Sequence, residues 1–240
     1  MKILAFDTSD RVVSVVLSKN GQLLSRVRAV GIKNYESIMS LIDALMKKAR
    51  LSMSEINLLG ACVGPGSFTG IRIGLSTAKA LSYACAIPVV GYKSLDVDAW
   101  MFKDHVTGYL CVMRDARRNN VYAALYEHKA KTMRRKSPYF LGTLDALLDS
   151  VEIFLKKEGR GRGEKSDMYF YGDVVENCCT RIKEKFSFAR MLSFRDHRRR
   201  SRAMISFVAH DRSRAVDCFG LKPLYMYPKD CQVQKKKGSV

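Results

Sequence analysis

The chain has 240 residues, of which 47% are hydrophobic and 27% charged, enough apolar side chain to fill one large core or two smaller ones. No stretch approaches the length of apolar chain that crosses a bilayer. The N-terminus opens on a strand-like run rather than on a signal peptide, so a cytoplasmic protein without a membrane partner is expected. The net charge is +19, with 12 Lys/Arg against 7 Asp/Glu in residues 1–100 and 30 against 16 in residues 101–240. A polyanionic partner and a merely solvated surface are both compatible with that excess.

Met1–Asp7 is an apolar run that reads as a buried central strand. Arg11–Ser18 and Gln22–Val30 read as two more strands, joined at Asn20-Gly21, a pair that tolerates positive φ and so marks a tight hairpin. Ile38, Leu41, Ile42, Leu45 and Met46 recur at helical spacing within a helix predicted over Tyr35–Ala49. Strand Leu58–Val63, a glycine-rich loop, helix Ile71–Ala86, strand Pro88–Gly91 and a helix capped by Ser94 and running to about Phe102 follow. The order then repeats. Strands are predicted at Tyr109–Met113, Asn119–Tyr126 and Thr132–Lys136, then helix Thr143–Lys157, strand Met168–Tyr171 and helix Val174–Lys185. Two rounds of one pattern predict an α/β protein of two similar lobes, residues 1–103 and 104–240, with mixed five-stranded sheets flanked by helices. Gly159–Gly163 reads as a flexible basic loop, and Lys235–Val240 as a disordered tail.

Seven cysteines lie without paired metal-type spacing, which argues against a disulfide framework or a zinc site. Cys62, Cys85 and Cys111 sit in apolar runs and read as buried thiols.

Two segments could carry chemistry. Asp7-Thr8-Ser9 ends the first strand, where a carboxylate can orient a metal-bound water and hydroxyls can meet phosphate, or where the same groups simply hold a turn. Gly64, Gly66, Ser67, Thr69 and Gly70 lie in a loop between a strand and a helix, where free N–H groups can face an anion. No Gly-Lys-Ser/Thr ending follows, so it is not a Walker loop, and its glycines could instead permit close packing.

Met1–Ser9 with Gly64–Gly74 resembles the TsaB family. Pro88–Leu95, Asp115–Tyr126 and Leu221–Met226 resemble further family segments in the same order. The resemblance implies an actin-like (ASKHA, RNase-H-like) fold. It also implies an accessory role, without catalysis of its own, in forming N6-threonylcarbamoyladenosine beside the anticodon of tRNA, with the related transferase TsaD and the ATPase TsaE as partners. No cofactor is implied in this chain, with ATP or ADP at most at a shared subunit boundary. The TsaD contact it implies uses the helices around Ile38, Leu41, Leu45 and Arg72, and the same surface can self-associate into a homodimer. Gly70, Gly74, Ala78 and Ser82 recur every four residues and could let a partner helix approach, or could face this chain's own sheet. The metal-binding His-x-x-x-His helix of TsaD has no counterpart among His105, His128, His197 and His210, so no metal site is expected.

Two alternatives stand beside that reading. An actin-fold enzyme, phosphotransferase or RNase-H-like nuclease, would use Asp7 and the glycine-rich loop, with Glu36 and Asp115 as further carboxylates around metal. A stand-alone RNA-binding module rests on charge alone. Eight arginines fall between Arg190 and Arg214, among them Arg198, Arg199, Arg200 and Arg202, which could track a tRNA backbone or form a solvated edge.

Overall fold

The computed structural model describes residues 1–30, 38–159, 167–192 and 197–227, and for 27–30, 197 and 198 the backbone only. The expected helix start at Tyr35, Glu36, most of the Gly159–Gly163 loop and the tail lie outside the described residues.

The first sheet has the order β3-β2-β1-β4-β5, built from β1 (Lys2–Asp7), β2 (Val12–Lys19), β3 (Gln22–Val30), β4 (Leu58–Gly64) and β5 (Val89–Lys93). β1, β2 and β3 pair antiparallel, whereas β4 runs parallel to β1 and β5 parallel to β4. The hairpin between β2 and β3 turns at Asn20 and Gly21, with φ of 52° and 81°, as the Asn-Gly pair predicts. β1 is buried on both faces because helices cover both. Leu4 and Phe6 pack toward α1 (Ile38–Ala49) and α2 (Phe68–Cys85), and Ile3 and Ala5 toward α3 (Ser94–Trp100) and α6 (His197–His210).

The second sheet repeats this topology as β11-β10-β6-β7-β8 from β6 (Gly108–Arg117), β7 (Asn120–Lys129), β8 (Thr132–Arg135), β10 (Met168–Tyr171) and β11 (Arg190–Leu192). A sixth strand, β9 (Phe140–Thr143), also pairs with β7, so this sheet is larger than the expected five. Its outer face is covered by α4 (Leu144–Lys157) and α5 (Val175–Lys185). Its inner face shares one apolar core with α3, α6 and the first sheet.

α6 and the segment from Val216 to Leu224 return to the first lobe. α6 packs on the first sheet, where a Cβ on Gly60 would stand 2.6 Å from Val208 Cγ2. Val216 bridges to Val89, Leu221 enters the core under α1 and α2, and the Leu224 amide donates to the Val63 carbonyl at 2.8 Å. Tyr227 then reaches the second lobe, where its hydroxyl donates to the Ala116 carbonyl at 2.6 Å and its ring meets Tyr122 at 6.2 Å. Cys62 and Cys111 are buried as expected, but Cys85, on the last turn of α2, is exposed. Among the described residues no helix is long and apolar enough to cross a membrane.

Candidate functional site

Asp7, at the end of β1, is fully buried. Its Oδ1 accepts from the Ser9 amide at 2.8 Å and the Ser9 hydroxyl at 2.6 Å, a turn held by its own side chains. Its Oδ2 accepts from Arg200 Nη2 at 2.6 Å. Arg200 comes from α6 and also donates through Nε to Asp98 Oδ1 on α3 at 2.8 Å. The other oxygen of Asp98 accepts from Arg114 Nε of β6 at 2.6 Å, and Arg114 Nη1 reaches Asp10 Oδ2 at 3.2 Å. Two arginines and three carboxylates thus form one chain of charge-assisted bonds where the lobes meet.

The electrostatics follow from that chain. Burial alone would push the Asp7 carboxyl up, but the guanidinium groups of Arg200 and Arg114 and the Ser9 hydroxyl outweigh it and hold it down at about 2. Burial works against the charge of Arg114 and Arg200, yet Asp98 with Asp10 or Asp7 raises both above the ordinary arginine range. Next to Asp7, burial pushes the Cys62 thiol far up, so it is an inert core group rather than a nucleophile.

The glycine-rich loop is clamped onto the same turn. The Ser67 amide donates to the Ser9 carbonyl at 2.7 Å, and Gly66, at φ +156°, leaves no room for a Cβ, which would lie 2.2 Å from that carbonyl oxygen. The Thr8 hydroxyl donates to the Gly70 carbonyl at 2.7 Å, and Ser94 Oγ donates to the Pro65 carbonyl at 2.8 Å. Ser94 therefore holds the loop instead of capping α3, whose N-cap is Lys93. Ser67 caps α2 through the Gly70 amide at 3.2 Å, so the helix starts at Phe68, three residues before its expected start. Thr69 is exposed. Asp7, Thr8, Ser9, Gly64, Gly66, Ser67 and Gly70 do come together, but most of their polar groups are spent on one another.

This arrangement does not fit a metal-bound nucleotide phosphate. The carboxylate that would face it is already neutralised by Arg200. Among the described residues no three His, Cys, Asp or Glu side chains are placed to hold a metal. Asp115 is exposed and accepts the Arg117 amide at 2.7 Å in a local turn.

The small-residue stripe of α2 faces inward. Gly70, Gly74, Ala78 and Ser82 are buried, and a Cβ on Gly74 would stand 2.2 Å from Thr8 Oγ1. The stripe lets α2 lie on its own sheet rather than on a partner. Ile38 and Leu45 are buried in the core too, Leu41 is partly buried, and only Arg72 of that set is exposed. The exposed side of α1 and α2 instead carries Met39, Phe68 and Tyr83 at 51%, 56% and 75% exposure. Phe68 stacks on Tyr225 at 4.8 Å and lies under Arg72 at 5.3 Å, and Tyr83 meets Phe219 at 6.5 Å. Their spacing on the arc opposite the glycines was the available signal.

The arginine run divides. Arg200 is internal, and Arg199 lies over the Phe102 ring at 5.1 Å. Arg202 is exposed, and the Arg198 side chain lies outside the described set. Sequence reasoning missed Asp98 and Arg114. Each stands beside other charges, Asp96 in one segment and Asp115 with Arg117 in the other, so neither was marked out as the member that would be buried and paired.

Two facing lobes of one repeated topology, meeting at a strand-end carboxylate, define an actin-like protein. ROK hexokinase from Thermus thermophilus shares the fold at TM-score 0.50 and 13% identity, covering 88% of this chain and 100% of that one. YeaZ from Pseudomonas aeruginosa does so at TM-score 0.68 and 20% identity, over 94% of this chain and 99% of that one. At these identities the likeness is one of fold. The sequence is more specific. Residues 32–198, more than half of the chain, match the family model described as TsaD: tRNA N6-adenosine threonylcarbamoyltransferase. The tRNA threonylcarbamoyladenosine biosynthesis protein TsaB of Bacillus subtilis (strain 168) is 30% identical over 139 residues, 58% of this chain and 60% of that protein. The chain belongs to this threonylcarbamoyltransferase family, in its TsaB branch. Its matches span a little over half the length of the curated TsaB relatives.

Proposed function

We propose that this chain is an accessory subunit in the formation of N6-threonylcarbamoyladenosine in tRNA and performs no catalysis of its own. The process comes from the family; the division of labour rests on the site. The single observation that carries it is the Arg200–Asp7 pair, at 2.6 Å, which occupies the carboxylate that an actin-fold phosphotransferase or RNase-H-like nuclease would need. Its partners on this reading are TsaD, with which it forms a heterodimer, and TsaE. ATP or ADP used by such an assembly sits at a subunit boundary, because this cleft is filled by the chain's own guanidinium groups.

The face offered to TsaD is the outer side of α1 and α2, where Met39, Phe68 and Tyr83 expose large apolar surface beside Arg72. Exposed aromatic side chains with a neighbouring arginine are the composition of interface anchors. A homodimer through the same face would compete with the heterodimer.

Reconstitution tests the proposal. TsaD, TsaE, ATP, threonylcarbamoyl donor and unmodified tRNA are combined with and without this chain, and the modified nucleoside is counted by mass spectrometry. Modification that depends on the chain supports the reading. Equal modification without it refutes it.

A further inference from the structure

β3 is an edge strand of the first sheet, and an open groove of about 500 Å³ lies beside it. Its walls are Leu23, Leu24, Ser25 and Arg26 of β3, Lys48 of α1 and Arg202 of α6. Three cations thus converge from three elements, and among the described residues no carboxylate lines the groove. Lys48 and Arg202 are exposed, and none of the three has an ion-pair partner among the described residues. The contrast with their neighbours is informative: Lys47 pairs with Asp43 at 2.8 Å, and Arg200 is committed to Asp7 and Asp98. Arg26 Nη1 is buried and has no hydrogen-bond partner among the described residues. A partly desolvated guanidinium favours an anion beside it.

We infer that this groove binds the phosphodiester backbone of RNA, with Arg26, Lys48 and Arg202 as the phosphate-contacting side chains. The inference rests on the proposed function for its choice of tRNA as the RNA. Two arginine forks and a lysine suit phosphate oxygens, and such contacts position a nucleic acid without reading its bases. An acidic peptide added to the β3 edge would take its specificity from pockets for alternate side chains. Here the described walls are mostly polar, and their apolar side chains are Leu23 and Leu24, at adjacent positions that point to opposite faces of the strand. Within the arginine run, Arg200 is spent inside the protein on Asp7 and Asp98, and Arg202 joins this groove.

The test uses the full chain, unmodified tRNA transcript and fluorescence anisotropy over a series of salt concentrations. Lys48→Ala with Arg202→Ala removes two exposed cations, and Lys129→Ala with Arg134→Ala, exposed on the far sheet, removes the same charge. Thermal melts of both variants check the fold. The groove pair is expected to weaken tRNA binding by roughly tenfold and to flatten the log–log salt slope by between about 1.4 and 1.8, while the control pair changes neither appreciably. Equal losses in the two variants would reduce the effect to net charge and overturn the assignment, as would an unchanged groove variant. Poly-L-glutamate is titrated in parallel. If it binds as tightly as tRNA and loses affinity in the same variant, the groove takes acidic chains in general and the RNA assignment falls. Failure of the reconstitution above would remove the tRNA-modifying role, yet leave this binding result readable by itself.

Discussion

Arg200 Nη2 donates to Asp7 Oδ2 at 2.6 Å across 193 residues of sequence, joining α6 to the end of β1. The same guanidinium holds Asp98, so removing it strands two buried carboxylates. Breaking one side of such a network costs about 3–5 kcal/mol. Arg200→Ala should lower the urea midpoint accordingly. Arg200→Lys should recover only part, because a point charge cannot span both carboxylates as the planar fork does. A midpoint unchanged in Arg200→Ala would show that the pair does not form in solution.

Gly74 lies against Thr8 of the Asp7–Ser9 turn. Gly74→Ala would gain helix propensity of about 1 kcal/mol in an open helix. Here the new Cβ would lie 2.2 Å from Thr8 Oγ1, which in turn holds the Gly70 carbonyl. Overpacking of about 1–3 kcal/mol should win. Calorimetry is expected to show a lower melting temperature, and a higher one would mean that α2 sits farther from the turn.

His128 supplies a pH dependence separate from the ion network. It is buried on β7, and neither ring nitrogen has a hydrogen-bond partner among the described residues. Burial lowers its pKa from 6.5 to about 4. The unfolded chain therefore takes up this proton first on acidification. The contribution is whole above pH 6.5 and is lost as the pH falls toward about 4. Denaturation curves of the wild type should weaken across that window more than those of His128→Leu. Parallel pH profiles would contradict the assignment.

Phe68 and Tyr83 anchor the exposed face of α2 at 56% and 75% exposure. Phe68→Glu and Tyr83→Glu together should abolish copurification with TsaD while leaving the circular dichroism spectrum and melting temperature near those of the wild type. Undiminished copurification would move the contact to another face.

The repeated order of strands and helices could be read from the sequence because both periodicities are strong. Val, Leu and Ile alternate or run continuously in β1, β2 and β4, and α1 and α4 carry clear apolar stripes. The return of α6 to the first sheet was not legible. Its packing partner Gly60 lies far away in sequence, and a strand glycine carries no label for what covers it. The site was half legible. Asp7-Thr8-Ser9 and the glycine-rich loop announce a crowded strand end, but composition does not say whether a ligand or the protein fills it. The direction of the α2 stripe was likewise open, because small residues serve an inner and an outer contact equally well. In the structure Arg200 lies on the Asp7 carboxylate at 2.6 Å, and Thr8 lies against the stripe at Gly74.

The central claim, that Asp7 is a structural carboxylate in a non-catalytic subunit, is tested most directly by reconstituting tRNA modification with wild-type chain, with Asp7→Asn, and with no chain. The temperature is chosen so that circular dichroism shows both proteins folded. The account predicts that the two proteins support equal modification per mole of folded chain and that omission abolishes it. Asp7→Asn falling to the level of omission while still folded and bound to TsaD would contradict it, and would make this carboxylate part of the chemistry.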